Sequence, residues 1–209
     1  MMRAGWIAAA TTALGLATGA PAAAAWWDCA IARLEGAPVE LWAAGLWRAA
    51  ETGPMAEGVA KLRTGGGARV EIVCAQGLVV TVAPETEVNL ASLTEGPPAG
   101  AFLQIVRGLI GLVLERPAAR PVEIRGPLAI AAARSTEWLG EVPPAGGTAF
   151  FVSEGAVGVR PSGAAAFPPA TLGPGEGITV AADGSAGPVV EWGAARVTAA
   201  RAALGFGWR

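Results

Sequence analysis

The stretch Leu62–Leu90, which reads LRTGGGARVEIVCAQGLVVTVAPETEVNL, decides the fold class of this sequence. Three short runs rich in β-branched residues are separated by glycine and proline. In the first run the side chains of Val70, Ile72 and Cys74 stand at every second position. This spacing places alternate side chains on one face of a β-strand, and frequent turn residues predict stacked antiparallel strands.

The same pattern continues through most of the remaining sequence. So many short strands at regular spacing predict an all-β protein, arranged as a sandwich, a barrel or a β-solenoid. Near the end, Glu191–Leu204 has a weak helical pattern that predicts a short terminal helix ending at Gly205.

Local patterns predict how some of these strands connect. Leu103–Leu114, interrupted by Arg107-Gly108, predicts two strands of a hairpin, and one short helix is the alternative because the segment is almost wholly apolar. Ala149–Ser153 and Ala156–Val159 predict a second hairpin that turns at Glu154-Gly155. Gly45–Trp47 is predicted to lie in a turn.

Length and charge limit the domain organisation and the partners. The 209 residues suggest one main domain with an extension, which we place at 26–185 and 186–209. The formal net charge is −2, and Lys61 is the one lysine among 15 basic residues. This balance provides no basic footprint, so nucleic acid is not an expected partner.

The composition also argues against catalysis. Histidine is absent, which removes the usual general base near neutral pH and the commonest metal ligand. Ser135-Thr136 therefore has no histidine to activate it, and no cysteine or carboxylate spacing predicts a metal or a cofactor. We predict that the protein is not an enzyme and carries neither a metal nor a cofactor.

Two carboxylate pairs keep one catalytic alternative open. Glu85 and Glu87 are two residues apart on a predicted strand, and Glu137 and Glu141 raise the same question. Paired carboxylates could perform acid–base chemistry or glycoside cleavage. The alternative, which we favour, is a solvated strand face beside a turn.

The first residues have the composition of a secretory signal peptide. Arg3 provides a positive charge, an uncharged alanine-rich segment follows, and Pro21 precedes the small-residue run Ala22–Ala25. We predict cleavage near Ala25 and a periplasmic or secreted mature chain that does not span the membrane. Retention of the segment as an uncleaved anchor is the alternative, because its length would permit spanning.

Export gives the two cysteines a possible structural role. Cys29 and Cys74 form an even pair, and exported proteins fold in an oxidising compartment. A bridge between them would close a long loop, which the chain-entropy model values at about 3–4.7 kcal/mol. The alternative is that Cys74 is a small inward-facing apolar residue in phase with Val70 and Ile72.

Tryptophans crowd the start of the predicted mature chain, at Trp26, Trp27, Trp42 and Trp47. Exposed indoles can stack on sugar rings or anchor a protein interface. They can equally pack against one end of the β core. Trp26, Trp27 and Trp42 are therefore the candidate binding residues, and Trp138 is predicted to lie in the core.

Six short motifs, in order, resemble the FecR-type domain. The matching segments are Leu62–Gly65 with Gly67–Ile72, Gly77 with Val79–Leu90, Leu103–Leu114, Val122–Trp138, Val152–Val159 and Leu172–Glu176. The residues that carry the resemblance within them are Arg63, Thr64, Gly65, Arg134, Thr136, Gly155 and Gly175. The similarity extends from about Ala30 to Ala182. Ser135 departs from the family, which prefers glycine there, so a positive φ at this position would be strained.

The resemblance implies a β-solenoid-like or twisted β-sandwich fold and a non-catalytic role. The family supplies the extracytoplasmic part of iron-uptake regulators and also occurs in many secreted proteins. Its classical regulators add a sigma-factor-binding segment, a membrane helix and a second periplasmic subdomain, and none of these is recognisable here. Direct control of a sigma factor is therefore not expected.

Two functions follow from these observations. The first is an exported β domain that binds another envelope protein in signalling or scaffolding. The second is a module that binds carbohydrate or peptidoglycan through exposed tryptophans.

Overall fold

The computed structural model describes residues 28–94 and 101–208. The predicted signal peptide and the candidate residues Trp26 and Trp27 lie outside the described residues. The strands within the described residues are β1 (Cys29–Glu35), β2 (Val39–Ala43), β3 (Leu46–Ala49), β4 (Gly53–Pro54), β5 (Val59–Thr64), β6 (Arg69–Cys74), β7 (Leu78–Val82), β8 (Glu87–Asn89), β9 (Phe102–Leu114), β10 (Val122–Arg125), β11 (Ala129–Ala133), β12 (Glu137–Val142), β13 (Thr148–Glu154), β14 (Val157–Pro161), β15 (Ala170–Leu172), β16 (Glu176–Val180) and β17 (Val190–Glu191). Two α-helices accompany them, α1 (Ala91–Thr94) and α2 (Ala194–Leu204), with a single 3₁₀ turn at Ala75–Gly77.

The strands form two sheets that share β9. Sheet A has the spatial order β4-β1-β6-β7-β9-β12-β13-β16-β17. Sheet B has the order β3-β2-β5-β8-β9-β10-β11-β14-β15. Neighbours are antiparallel except for β9 and β10, which run parallel. The predicted all-β class and short C-terminal helix are confirmed, and the strands of the described residues do not close into a barrel.

Strand β9 corrects the hairpin predicted for Leu103–Leu114. It is one continuous strand whose first half pairs in sheet B and whose second half pairs in sheet A. Gly108, with φ +91°, lies at the bend, and a Cβ there would lie 2.6 Å from the Cα of Thr86. The glycine lets the strand pass between the sheets, so its halves have different partners and do not pair with each other.

Two further local predictions were wrong for related reasons. Strands β13 and β14 do not pair with each other, because Gly155 directs the chain from sheet A into sheet B. Leu46 and Trp47 belong to β3, which pairs with β2 across a turn at Ala44-Gly45, where both residues have positive φ. In both cases a glycine turn was recognised, but the strand that follows it was misplaced.

The main core lies between the sheets. Alternate residues of the strands point into it, which explains the period-two pattern of the sequence. Its largest fully buried members include Trp138 and Phe150 from sheet A and Leu62, Leu103 and Ile124 from sheet B. Trp138 therefore occupies the predicted core position.

A second, smaller core covers the outer face of sheet A. Residues 190–208, which we call the C-terminal clasp, extend the sheet through β17 and then cross its outer face as α2. The ring of Trp192 stacks on Phe151 with centroids 4.9 Å apart. Leu204 and Trp208 are buried there, and Gly205 ends the helix as predicted.

Cys29 and Cys74 are directly opposite each other on β1 and β6 and form a disulfide. The pair thus has the bridge that was one of the two alternatives. Within the described ranges, every helix is too short or too polar to cross a membrane.

Candidate functional site

The motif residues Thr64 and Gly65 lie where β5 leaves sheet B and the chain turns toward β6. The hydroxyl of Thr64 donates a hydrogen bond to the carbonyl oxygen of Ala83 (2.6 Å) and accepts one from the backbone N–H of Thr86 (3.0 Å). A Cβ at Gly65 would lie 2.5 Å from the Cδ of Pro38. In this way the β5–β6 connection, where the chain passes from sheet B to sheet A, is held against the β7–β8 connection, where it passes back.

The motif residues Thr136 and Gly155 meet at the opposite end of the sandwich. Gly155 has φ +85°, and a Cβ there would lie 2.7 Å from the carbonyl oxygen of Ser135. The side chain of Arg134 is exposed, and its carbonyl accepts the N–H of Ala118 at 2.7 Å. Ser135 is outside the left-handed region, so serine fits in place of the family's glycine. The remaining motif glycine, Gly175, has φ +82° in the turn before β16.

Trp42, the candidate binding residue within the described range, lies on the outer face of sheet B. Its ring centroid is 5.3 Å from that of Trp47, which also lies beneath the guanidinium of Arg63 at 4.2 Å. Arg63 donates to the carboxylate of Glu40 at 2.7 Å. This hydrogen bond holds the pKa of Glu40 below its ordinary value and raises the pKa of Arg63. Both tryptophans remain partly exposed.

The outer face of sheet A contains a polar cavity of about 410 Å³ beside the clasp. We call it the acidic cavity, because carboxylates and hydroxyls dominate its lining. The lining residues are Glu71, Val79, Thr81, Val113, Leu114, Glu115, Ser135, Thr136, Glu137, Glu154, Phe206, Gly207 and Trp208. Carboxylate and hydroxyl oxygens accept hydrogen bonds, so this lining suits a cationic group.

One arginine partly compensates this charge. Arg33 makes a bidentate contact with Glu71, with N–O distances of 2.8 and 2.5 Å, and this hydrogen bonding raises the pKa of Arg33. The same guanidinium donates to the carbonyl oxygen of Phe206 at 3.1 Å and lies 4.6 Å from its ring centroid. Arg33 therefore connects β1, β6 and the end of the clasp.

The predicted carboxylate pairs are arranged differently from the expectation. Glu85 has φ +55° in the turn before β8, so it does not share a strand with Glu87. Glu137 is buried at the cavity, whereas Glu141 makes an ion pair with Arg196 of the clasp at 3.1 Å. Among the described residues, no group of three or more Cys, Asp or Glu side chains could hold a metal ion.

Sequence reasoning missed the acidic cavity. Its carboxylates come from strands or loops far apart in the sequence, at Glu71, Glu115, Glu137 and Glu154. The available signal was Trp208, whose burial requires the terminal helix to dock on a sheet. That inference would have placed a surface beside the C-terminus without identifying its lining.

Residues 60–158 match the protein family described as FecR protein. The match identifies this part of the chain as a FecR domain and confirms the family resemblance seen in the sequence. No curated protein sequence matches the chain. The FecR domain supports a signalling-related role, and together with the disulfide it supports an envelope or periplasmic location.

Two crystal structures of a proposed anti-sigma factor from Parabacteroides distasonis ATCC 8503, at 1.65 and 2.50 Å resolution, have a similar fold. The first has a TM-score of 0.57 and 19% identity, covering 68% of this chain and 64% of the other. The second has a TM-score of 0.56 and 19% identity, covering 66% and 62%. This chain thus spans just under two thirds of these neighbours, and the similarity concerns the fold alone.

Proposed function

We propose that this protein is an exported, non-catalytic FecR-domain protein that binds another envelope protein in signalling or scaffolding. The FecR domain at residues 60–158 is the observation that carries the proposal. The Cys29–Cys74 disulfide fits an oxidising compartment, and the predicted signal peptide, cleaved near Ala25, would deliver the chain there. In this scheme residues 26–185 form the FecR-like β domain, and 186–209 form the extension.

The acidic cavity is the surface that we assign to this partner. The side chains of Glu115 and Glu154 are exposed at its rim, and neither has an ion-pair partner among the described residues. An arginine or lysine of the partner would find carboxylates and hydroxyls here, and a charged group held in a desolvated pocket is a common interface anchor. Loss of these carboxylates should therefore weaken the complex.

Cross-linking in intact cells, followed by affinity purification and mass spectrometry, tests the proposal. We expect one envelope protein to be recovered with the native chain and lost with the Glu115→Lys/Glu154→Lys variant. The matched control is Glu51→Lys/Glu57→Lys, which makes the same charge change at exposed positions outside the cavity. Recovery of no specific protein contradicts the proposal, and equal recovery with both variants contradicts the assignment of the cavity.

A further inference from the structure

A row of side chains crosses the outer face of sheet B. Directly opposite residues on neighbouring strands project to the same side of a sheet, so the pairing register identifies its members. The row, which we call the outer row, consists of Trp47, Trp42, Lys61, Asn89, Gln104 and Arg125. It extends over β3, β2, β5, β8, β9 and β10, with one side chain from each strand.

The middle of the outer row has unused hydrogen-bonding capacity. Within the part of the chain that the structure describes, the side chains of Lys61 and Gln104 have no hydrogen-bond or ion-pair partner. Between them, Asn89 uses its Oδ1 to accept the N–H of Ala91 at 3.0 Å, which leaves the amide group to donate. An ammonium and two carboxamides therefore stand side by side on adjacent strands.

Planar groups packed against aromatic rings lie at both ends of the row. At one end lies the Trp42–Trp47 pair, whose partly exposed rings have centroids 5.3 Å apart and are tilted by 59°. At the other end the guanidinium of Arg125 lies 3.7 Å from the ring centroid of Phe102. Planar groups held in this way present stacking surfaces at a small cost in side-chain entropy.

The charge of this face is positive although the whole chain is slightly acidic. Its cations are Lys61, Arg63, Arg107, Arg125 and Arg160, and its carboxylates are Glu40, Glu87 and Glu123. Each of the three carboxylates already lies within 4 Å of an arginine, at 2.7 Å for Glu40, 3.8 Å for Glu87 and 2.7 Å for Glu123. Lys61 therefore remains available to an external anion.

We propose that the outer row binds a peptide-free cell-wall glycan strand, a β-linked chain of N-acetylated sugars in which every second sugar bears a free carboxylate. The indole of Trp42 stacks on a sugar face, with Trp47 and Arg63 packed beside it. Asn89 and Gln104 hydrogen-bond hydroxyl and acetamido groups, and Lys61, which has no ion-pair partner among the described residues, attracts a carboxylate. This surface is opposite the acidic cavity, so the inference does not depend on the proposed protein partner.

The dimensions and polarity of the row favour a glycan over a protein. Strands are about 4.8 Å apart, so Trp42 and Arg125 are separated by four spacings, or about 19 Å. This matches an extended polymer laid across the strands, with roughly one sugar over each strand. A protein interface of this size would need an apolar centre, whereas the row between its aromatic ends is entirely polar.

Isothermal titration calorimetry of the full mature chain tests the inference, with soluble glycan strands stripped of their peptides as the probe. Chitohexaose provides the matched neutral ligand, and a polyglutamate peptide provides an anion without sugar. The variant is Lys61→Glu/Gln104→Glu at solvent-accessible positions, and Thr179→Glu on the outer face of sheet A is the control. Circular dichroism verifies that both variants are folded.

We expect the glycan strands to bind and chitohexaose to bind about tenfold more weakly, because it lacks the carboxylates. Salt should weaken binding of the strands, the double variant should lose it, and Thr179→Glu should retain it. Failure of the native chain to bind the strands overturns the inference, as does equal loss in the control. Polyglutamate binding as tightly as the strands would assign the face to an acidic protein and overturn it as well.

Discussion

Thr64 and Thr136 are equally buried but differ in the hydrogen bonding of their hydroxyl groups. Both are buried threonines, each 4% exposed, at points where the chain crosses between the sheets. The hydroxyl of Thr64 links the β5–β6 connection to the β7–β8 connection through hydrogen bonds to Ala83 and Thr86. The hydroxyl of Thr136 has no hydrogen-bond partner in the described residues, although it is removed from water.

Replacing each threonine by valine should therefore affect stability differently. Thr64→Val leaves the Ala83 carbonyl and the Thr86 N–H buried without a partner, so we expect the free energy of unfolding to fall by about 1–3 kcal/mol. Thr136→Val removes a hydroxyl that has no partner to lose, so stability should be unchanged or slightly higher. Urea unfolding of both variants measures the difference. A comparable loss in both would show that Thr136 makes a hydrogen bond of similar value.

Two glycines of sheet A leave the space that two tryptophans of the clasp occupy. A Cβ at Gly111 would lie 2.5 Å from the Nε1 of Trp208, and a Cβ at Gly177 would collide with Trp192. Neither glycine has a positive φ, so the space they leave for the indoles is what these positions require. Close packing of the clasp thus depends on residues that have no side chain.

Gly111→Ala should displace Trp208 and cost about 1–3 kcal/mol through overpacking. The expected signs are a red-shifted tryptophan emission and earlier cleavage of the C-terminal segment by protease. Gly66→Ala is the control, because a Cβ there meets nothing within 4 Å and the residue has no positive φ. Unaltered emission and stability in Gly111→Ala would contradict the close approach of Trp208.

At the scale of elements, β1 is connected to the rest of the fold by strand pairing, by an arginine and by the disulfide. It pairs with β4 and β6, its Arg33 contacts the clasp, and its Cys29 is bonded to Cys74. The disulfide spans 45 residues, so it restricts a large part of the unfolded N-terminal half.

Reduction of this bond should lower the free energy of unfolding by about 4 kcal/mol, the chain-entropy value for a loop of this length. Urea denaturation with and without reductant measures the change. The Cys29→Ser/Cys74→Ser variant should resemble the reduced protein and should not respond to reductant. Equal stability of the oxidised and reduced proteins would contradict a structural role for the bond.

At the scale of the whole molecule, the fold extends beyond the residues that match the family. Strands β1–β4 complete one side of both sheets before residue 60, and β15–β17 lie beyond residue 158. The two outer faces differ in character, with carboxylates and the clasp on sheet A and a cationic, aromatic row on sheet B. The proposed protein partner and the proposed glycan would therefore bind opposite faces and would not compete.

Removing residues 190–209 tests whether the clasp is a cover or part of the main folding unit. We expect the two sheets to remain folded, because the main core lies between them and contains no residue of the clasp. Loss of the clasp should expose Leu139 and Phe151, which are 0% and 3% exposed, and increase binding of a hydrophobic dye. Loss of the β-sheet circular dichroism signal would show instead that the clasp is essential for folding.

Much of the strand content could be predicted because alternation is a local property. Val70, Ile72 and Cys74 all face inward, as their spacing indicates, and the glycine turns are where composition places them. The path of β9 could not be predicted, since Gly108 permits either a hairpin or a bend. Contacts with Thr86, in the connection between β7 and β8, favour the bend.

The candidate sites were likewise only partly predictable from the sequence. Trp42 was recognised as a binding candidate, but the register that aligns it with Lys61, Asn89 and Gln104 depends on pairing between β2, β5, β8 and β9. The acidic cavity likewise requires Glu71, Glu115 and Glu154 to converge from separate parts of the chain.

By itself, the sequence determined the all-β class, the FecR resemblance and the short terminal helix, because periodicity and turn residues act over a few positions. Only the tertiary structure decided which strands pair, that Cys29 lies opposite Cys74, and which side chains share an outer face. The physical reason is that register is set by burying one face of every strand in a common core, and this condition involves the whole chain at once.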